Sequence, residues 1–345
     1  MKELTFEEKL RLIRRNTAEI IGEEELRTLL RSKKKPVVYL GTAITGKPHI
    51  AYFLWILKLS DFLKAGFKVK LLLADVHGAL DNTPWELIEH RYNYYAAALK
   101  EMMGVCGAHL TDLEIVKGSS FQLKGDYITD LLKLSTKVTV HDARRAASDV
   151  VKNTEGDSAK LAGLLYPLMQ SLDEEYLGVD VQYGGIDQRK ILVFAREHLP
   201  QLGYRARVEI MTPLIPSLAE NGKMSASNIS SKIDLLDSDE DIKKKISRAY
   251  CLEGDADNGV MAFMKYVLMV LKEDNDKKFT VVRDKKFGGT VSYKNYSEIE
   301  KDFTSKKLHP MDLKNAVSED LIHILKKIDR KKLVKLAEKA YNEDI

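Results

Sequence analysis

The sequence predicts an α/β fold: a parallel five-stranded sheet with helices on both faces, followed by a mainly α-helical C-terminal domain. Three observations point there. Five short apolar runs, Val37–Leu40, Val69–Ala74, Leu113–Val116, Val179–Gln182 and Val208–Met211, all fall before residue 215. Segments of helical period separate them, and that alternation builds βαβ units whose sheet is buried on both faces. After Ser238 the pattern becomes helical, with strand signals limited to FTVVRD and TVSY. A chain of 345 residues, 44% hydrophobic and 31% charged, fits two domains with a full core that needs no disulfide or metal staple.

The elements follow in order. Residues 5–32 read as two amphipathic helices, FEEKLRLIRRN and TAEIIGEEELRTLLRS, with Thr17 capping the second. KKKPVVYLG is a basic break leading into the first strand. His49 to Leu63 is helix-periodic and ends near Gly66; Val69–Ala74 is the second strand; Trp85–Met103 fits a long helix. Leu113–Val116 follows, then helical patterns over 121–151 and 160–177, and a further helix between the last two strands. DEDIKKKISRAY, GVMAFMKYVLMVLKE and SEDLIHILKKIDRKKLVKLAEKAY make the C-terminal part helical. The division is N-terminal helices over 1–35, the α/β domain over 36–225 and the helical domain over 226–345, its boundary in the Ser-, Asn- and Pro-rich stretch 215–240.

Composition excludes several classes. Cys106 and Cys251 lie far apart, so neither a disulfide framework nor a structural metal is expected. No run approaches 18 uncharged apolar residues, and MKELTFEEKLRLIRR mixes charges of both signs. No membrane association and a cytoplasmic location are therefore expected. The net charge is +4, with 25 basic against 23 acidic residues from Pro213 onward and 30 against 28 before it. Neither part is a basic tail, so a nucleic-acid surface must be gathered by folding.

Three segments carry chemistry. Tyr39-Leu-Gly-Thr-Ala-Ile-Thr-Gly-Lys-Pro-His-Ile-Ala-Tyr52 leaves a strand, turns at Gly41 and Gly46 and starts a helix near Pro48. It reads either as an anion site, where free N–H groups and His49 meet a phosphate, or as an ordinary βα turn. Pro48 stands where a P-loop needs Ser or Thr. Next, Tyr166, Gln170 and Asp173 are spaced to share one helical face, functional or simply solvated, and Gly184-Gly-Ile-Asp-Gln-Arg-Lys190 opens a helix after a strand. Last, Gly222-Lys-Met-Ser-Ala-Ser227 puts Lys223 in a small-residue loop, either a mobile cation for a triphosphate or a linker.

In this order and spacing the three resemble the class I aminoacyl-tRNA synthetases, and within them the tyrosyl-tRNA synthetases of the eukaryotic cytosolic and archaeal type. PHIAY stands at the HIGH signature and KMSAS at KMSKS; LADVHGALDN, LLYPLMQSLDEEYL, GGIDQRK, SKIDLLD and HPMDLK resemble the same family. The resemblance spans essentially the whole chain, and an appended C-terminal RNA-binding domain is not expected. It departs at Ala51 and Tyr52 of the first signature and at Ala226 of the second, which removes an ammonium and leaves Lys223 and Lys47. KMSAS also occurs in tryptophanyl synthetases, the alternative reading; a synthetase-like regulatory RNA-binding protein without activity is another.

The resemblance implies a Rossmann-type catalytic domain that activates L-tyrosine with ATP, Mg²⁺ accompanying the ATP, and transfers tyrosine to the 3′ end of tRNA(Tyr). It implies that Tyr39 and Asp173 bind the phenolic hydroxyl and that Tyr166, Gln170 and Gln188 hold the ammonium. Gly41, Thr42, His49, Gly185 and Asp187 would line the ATP site, with His49 and Lys223 catalytic. Arg144, Arg145, Arg189 and Lys190 would meet the acceptor stem, and Phe287, His309 and Asp312 the anticodon. A homodimer formed through the 120–150 region is implied as well. A protein without activity need not keep Tyr39, Tyr166, Gln170, Asp173, Gln188 and Lys223, and all are present.

Overall fold

The computed structural model describes residues 4–151, 160–220, 222, 224 and 232–341. A capping box between Thr5 and Glu8 starts α1 (Phe6–Arg14). It is followed by β1 (Glu19–Ile21), α2 (Glu23–Ser32), β2 (Val37–Ala43), α3 (Tyr52–Lys64) and β3 (Lys68–Ala74). Then come α4 (Asp75–Leu80), α5 (Ile88–Val105), β4 (Leu113–Lys117), α6 (Ser119–Gln122), α7 (Gly125–Ser135), α8 (Val140–Ala147) and α9 (Leu161–Tyr176). The α/β part closes with β5 (Val181–Gly185), α10 (Arg189–His198) and β6 (Val208–Thr212).

The sheet has six strands in the order β1-β6-β5-β2-β3-β4. Five are parallel, as the sequence predicts, and β1 is the addition, antiparallel to β6. It lies inside what periodicity reads as one helix over 17–32. Gly22, at φ +89, interrupts that helix, and Ile20 pairs with Ile210 on the open edge of the sheet. Thr17 caps nothing; its hydroxyl donates to Ile13 O at 2.7 Å. The helical stretch 121–151 likewise divides, giving α7 and α8 after the short α6.

The C-terminal part contains α11 (Asp239–Arg248), α12 (Gly259–Phe263), a π turn over Met264–Leu268, and α13 (Met269–Asp274). A hairpin of β7 (Phe279–Val281) and β8 (Val291–Tyr293) precedes α14 (Tyr296–Thr304), α15 (Pro310–Leu325) and α16 (Arg330–Ala340). Its core is continuous with that of the sheet: one apolar cluster runs from Leu10 and Val38 through Met264 to Leu321 and Tyr341. The last helix turns back onto α5, where Arg91 donates to Ala340 O at 3.2 Å and Tyr341 meets Tyr94 edge to face at 5.7 Å. Among the described residues no helix is long and apolar enough to cross a membrane.

Candidate active site

A cavity of about 340 Å³ opens at the carboxyl ends of β2, β5 and β6. Open parallel sheets present ligand sites there, where the connections diverge to opposite faces. Its wall includes Tyr39, Gly41, Thr42, His49, Tyr166, Gln170, Asp173, Gly185, Asp187 and Gln188. The structure thus brings together every candidate for the amino-acid and nucleotide sites except Lys223, which lies outside the described residues, as does Ala226.

The polar end is built on α9. Tyr166, Gln170 and Asp173 do share one face, and Pro167 is accommodated inside the helix with Ser171 Oγ bonded to its carbonyl at 2.8 Å. Asp173 is 1% exposed. Its Oδ1 accepts from Gln122 Nε2 at 2.8 Å and Tyr127 Oη at 2.9 Å. Burial nevertheless pushes the Asp173 carboxyl up to about 8. Tyr39, from β2, is fully buried and donates to Gln170 O at 3.1 Å; burial and the Asp173 charge hold its phenol well above the usual range. Gln170 Nε2 donates to Gln188 Oε1 at 3.2 Å, so two amides close one side.

Gly184 and Gly185 stand where space is tight. A Cβ at 184 would stand 3.1 Å from Gln188 Cβ, and one at 185 would stand 2.6 Å from Asp187 Oδ1. Gly41, by contrast, makes no turn, because β2 continues to Ala43. The chain turns only after it, and the first helical turn begins at His49 through Tyr52 N to His49 O at 2.9 Å.

His49 is 4% exposed with Nδ1 unpartnered among the described residues. Burial, helped by the Lys232 charge, lowers it to about 3, so the imidazole is neutral. Tyr52, at the position of the second signature histidine, packs edge to face on His49 at 4.9 Å, with its hydroxyl 3.5 Å from that of Tyr95. It is a wall of the cavity rather than a second imidazole.

Sequence reasoning did not find His77, Gln122 and Tyr127. His77 lines the cavity edge-on to Tyr166 at 4.6 Å, and burial lowers it to about 4. Gln122 Nε2 lies 3.3 Å from its Nδ1. The one sequence signal was His77 within LADVHGALDN; nothing local marks Gln122 or Tyr127.

The remaining candidates lie outside this cavity. Arg144 and Arg145 are exposed on α8, Arg189 pairs with Glu19 at 2.7 Å and Lys190 with Asp149 at 2.8 Å. In the C-terminal part, Phe287 is 63% exposed with the Lys286 ammonium 4.9 Å above its ring. His309 caps α15, its Nδ1 accepting from Met311 N at 3.2 Å, and Asp312 lies in the first turn. Arg283 ties the two segments together, donating to Gly289 O at 2.8 Å and Lys307 O at 2.9 Å.

Comparison with known proteins agrees with this geometry. Residues 31–326 match the family model for tRNA synthetases class I (W and Y). The chain is 46% identical to a cytoplasmic tyrosine–tRNA ligase of Danio rerio, over 99% of this chain and 64% of that protein. It is 42% identical to the Saccharomyces cerevisiae cytoplasmic tyrosine–tRNA ligase, over 96% of this chain and 86% of that protein. The chain therefore spans a little under two thirds of the length of the vertebrate relatives it matches. Among solved structures, the tyrosyl-tRNA synthetase of Archaeoglobus fulgidus complexed with L-tyrosine superposes with a TM-score of 0.87 at 38% identity, over 95% of this chain and all of that one. A Rossmann-type sheet, a cavity at its carboxyl edge carrying the signature residues, and these matches agree: the chain belongs to the class I tRNA synthetases of the W and Y family.

Proposed function

We propose that the chain is a tyrosine–tRNA ligase. The observation that carries this reading is the closed polar end of the cavity. Tyr39 and Asp173 meet there, and Gln122 and Tyr127 both donate to Asp173 Oδ1. Asp173 Oδ2 then accepts from the phenolic hydroxyl of tyrosine. An indole has no group that reaches this pair in the same way, and phenylalanine would leave it buried and unmatched. Tyr166, Gln170 and Gln188 hold the substrate ammonium.

The reaction needs no protein nucleophile. The tyrosine carboxylate attacks the α-phosphorus of ATP, tyrosyl-adenylate forms and pyrophosphate leaves. A hydroxyl at the 3′ end of tRNA(Tyr) then takes the tyrosyl group and AMP leaves. Catalysis is positioning and charge stabilisation. Gly41, Thr42, His49, Gly185 and Asp187 line the nucleotide part, with Asp187 on the ribose, neutral His49 donating to phosphate and Lys223 supplying a cation. Mg²⁺ enters with ATP, held largely by its phosphates.

The two parts of the chain divide tRNA recognition. Arg144, Arg145, Arg189 and Lys190 take the acceptor stem, and Phe287, His309 and Asp312 take the anticodon. Leu123, Leu132 and Val140, 56%, 63% and 60% exposed, place an apolar surface in the 120–150 region that a second copy would cover, giving a homodimer. The cytoplasm is the proposed location. Tyrosine-dependent ATP–pyrophosphate exchange, run against each of the other amino acids, tests the assignment; a preference for tryptophan overturns it.

A further inference from the structure

The rim of the cavity carries groups that amino-acid activation does not use. His77 of α4 lies edge-on to Tyr166 at 4.6 Å, and Asp81, four residues later, lines the cavity as well. The chain then folds back: Asp81 N donates to His77 O at 2.9 Å, Thr83 N donates to Gly78 O at 2.9 Å, and Asn82 sits in the left-handed region at φ +68. Arg91 pins this turn to the segment that follows β2. Its Nη1 donates both to Thr83 Oγ1 at 3.2 Å and to the carbonyl of Thr45, a residue of the cavity wall. Trp85, which opens the 3₁₀ turn before α5, is 65% exposed. Four residues of chain place it no more than about 14 Å from Asp81. Lys160, exposed at the start of α9, donates to Asn82 Oδ1. That amide is neutral, so the ammonium keeps its charge beside the turn.

An indole face held in water next to a cation suits a single-stranded nucleic acid: unpaired bases stack on the ring, and the ammonium draws the phosphates. The position fits the transfer step. Its reacting atom is the tyrosyl carbonyl carbon, bonded to the carbon whose ammonium Tyr166, Gln170 and Gln188 hold. A hydroxyl comes to that atom from outside, past the rim beside Tyr166. Resting on the ligase reading above, we propose that Trp85 is a stacking platform for an unpaired base at the 3′ end of the tRNA, with Lys160 on a neighbouring phosphate. Asn82 and Arg91 are positioning residues, the first for the Lys160 ammonium and the second for the turn that carries Trp85. Tyrosine and ATP lie inside the cavity, so activation does not require the platform.

The test uses Trp85→Ala, Trp85→Phe and Lys160→Met in the full chain; both side chains are exposed, so their loss leaves the core intact. The readouts are tyrosine-dependent pyrophosphate exchange, single-turnover transfer from preformed tyrosyl-adenylate to tRNA(Tyr), and quenching of tryptophan fluorescence by an acceptor-stem minihelix with and without its single-stranded CCA end. Trp55 is the other tryptophan, so quenching that disappears in Trp85→Phe belongs to Trp85. Trp85→Ala should leave exchange unchanged and slow transfer at subsaturating tRNA about ten- to a hundredfold, the size of one lost stack. Trp85→Phe should restore most of the transfer rate, and Lys160→Met should weaken tRNA binding and flatten its salt dependence. Quenching should require the CCA end. Equal loss of exchange and transfer in Trp85→Ala makes Trp85 a brace for the rim and overturns the inference, and so does transfer at the parent rate. Quenching by the minihelix without its CCA end places Trp85 on the stem and overturns it too. A parent chain that is quenched through Trp85 by the CCA end yet catalyses no tyrosine-dependent exchange refutes the ligase reading and leaves the platform standing.

Discussion

Asp173 was visible in the sequence as one of three polar residues on a helical face, but its surroundings were not. Gln122 and Tyr127 come from α6 and α7, about fifty residues earlier in the chain, to donate to its Oδ1. On the proposed function, Asp173→Ala should abolish most tyrosine activation and most discrimination against phenylalanine, read as the ratio of exchange rates with the two amino acids. Retained discrimination would remove Asp173 from the hydroxyl site. A buried acid pair lies next to it in the chain and the fold: Glu174 and Glu209 are fully buried, and neither carboxyl has a hydrogen-bond partner among the described residues. Burial pushes Glu174 up to about 8 and raises Glu209 as well. Both folded-state values lie above the unfolded ones, so the folded chain holds protons that the unfolded chain releases. The stability that this pair contributes is therefore greatest at acid pH and is lost as pH rises through about 8. Glu209→Gln keeps that position neutral. The Tm of the parent should fall between pH 6 and 9 by more than that of the variant, by about 3 °C or more. Parallel pH profiles would mean that the pair does not titrate in this window.

At the scale of elements, the signature helix α3 is held at its start and in its middle. Its N-terminus is strapped by Ile233 and Asp234, and in its middle Lys58 reaches under the end of α1. The Lys58 ammonium is 1% exposed and donates to Ile13 O, to Arg15 O at 2.6 Å and to Thr17 Oγ1 at 2.7 Å. Ile13 O also accepts from the Thr17 hydroxyl, so it is the Arg15 carbonyl, just past the end of α1, that depends on Lys58. Lys58→Met removes the donor to Arg15 O and one of two donors to Ile13 O, so the chain should lose about 2–3 kcal/mol in denaturant unfolding. A loss below about 0.5 kcal/mol would show that water takes over the same carbonyls.

For the whole molecule, the two parts share a core, and α16 closes it. Arg330 donates to Leu236 O at 2.6 Å and Tyr341 packs on Tyr94, so the end of the described chain braces α5 and the strap that follows residue 231. Removing residues 329–345 should lower the Tm of the α/β part and not only that of the helical part; an unchanged transition for the sheet would show two independent units. Recognition should still divide. Phe287 and Asp312 lie on segments joined by Arg283, away from the cavity. A stacked base is worth about 1–3 kcal/mol, and a base-edge contact is similar. Phe287→Ala and Asp312→Ala should each cut tRNA charging about ten- to a hundredfold on those magnitudes. Tyrosine-dependent pyrophosphate exchange should hold. Equal loss of both activities would indicate a structural role, and full charging would take these residues out of the anticodon site.

The parallel strands, the α9 face and the glycine pair before Asp187 were legible because each is local: a period, a spacing or a tight approach within a few residues. For the same reason the sequence misread 17–32, where helical periodicity continues through Glu19–Ile21 and only the open edge of β6 makes a strand the better partner. Tertiary structure alone decided the rest. It placed Gln122 and Tyr127 on Asp173, put Asp234 beside His49 and turned α16 back onto α5. These contacts join residues far apart in the chain, and buried donors and charges acquire their partners only when the packed core excludes water.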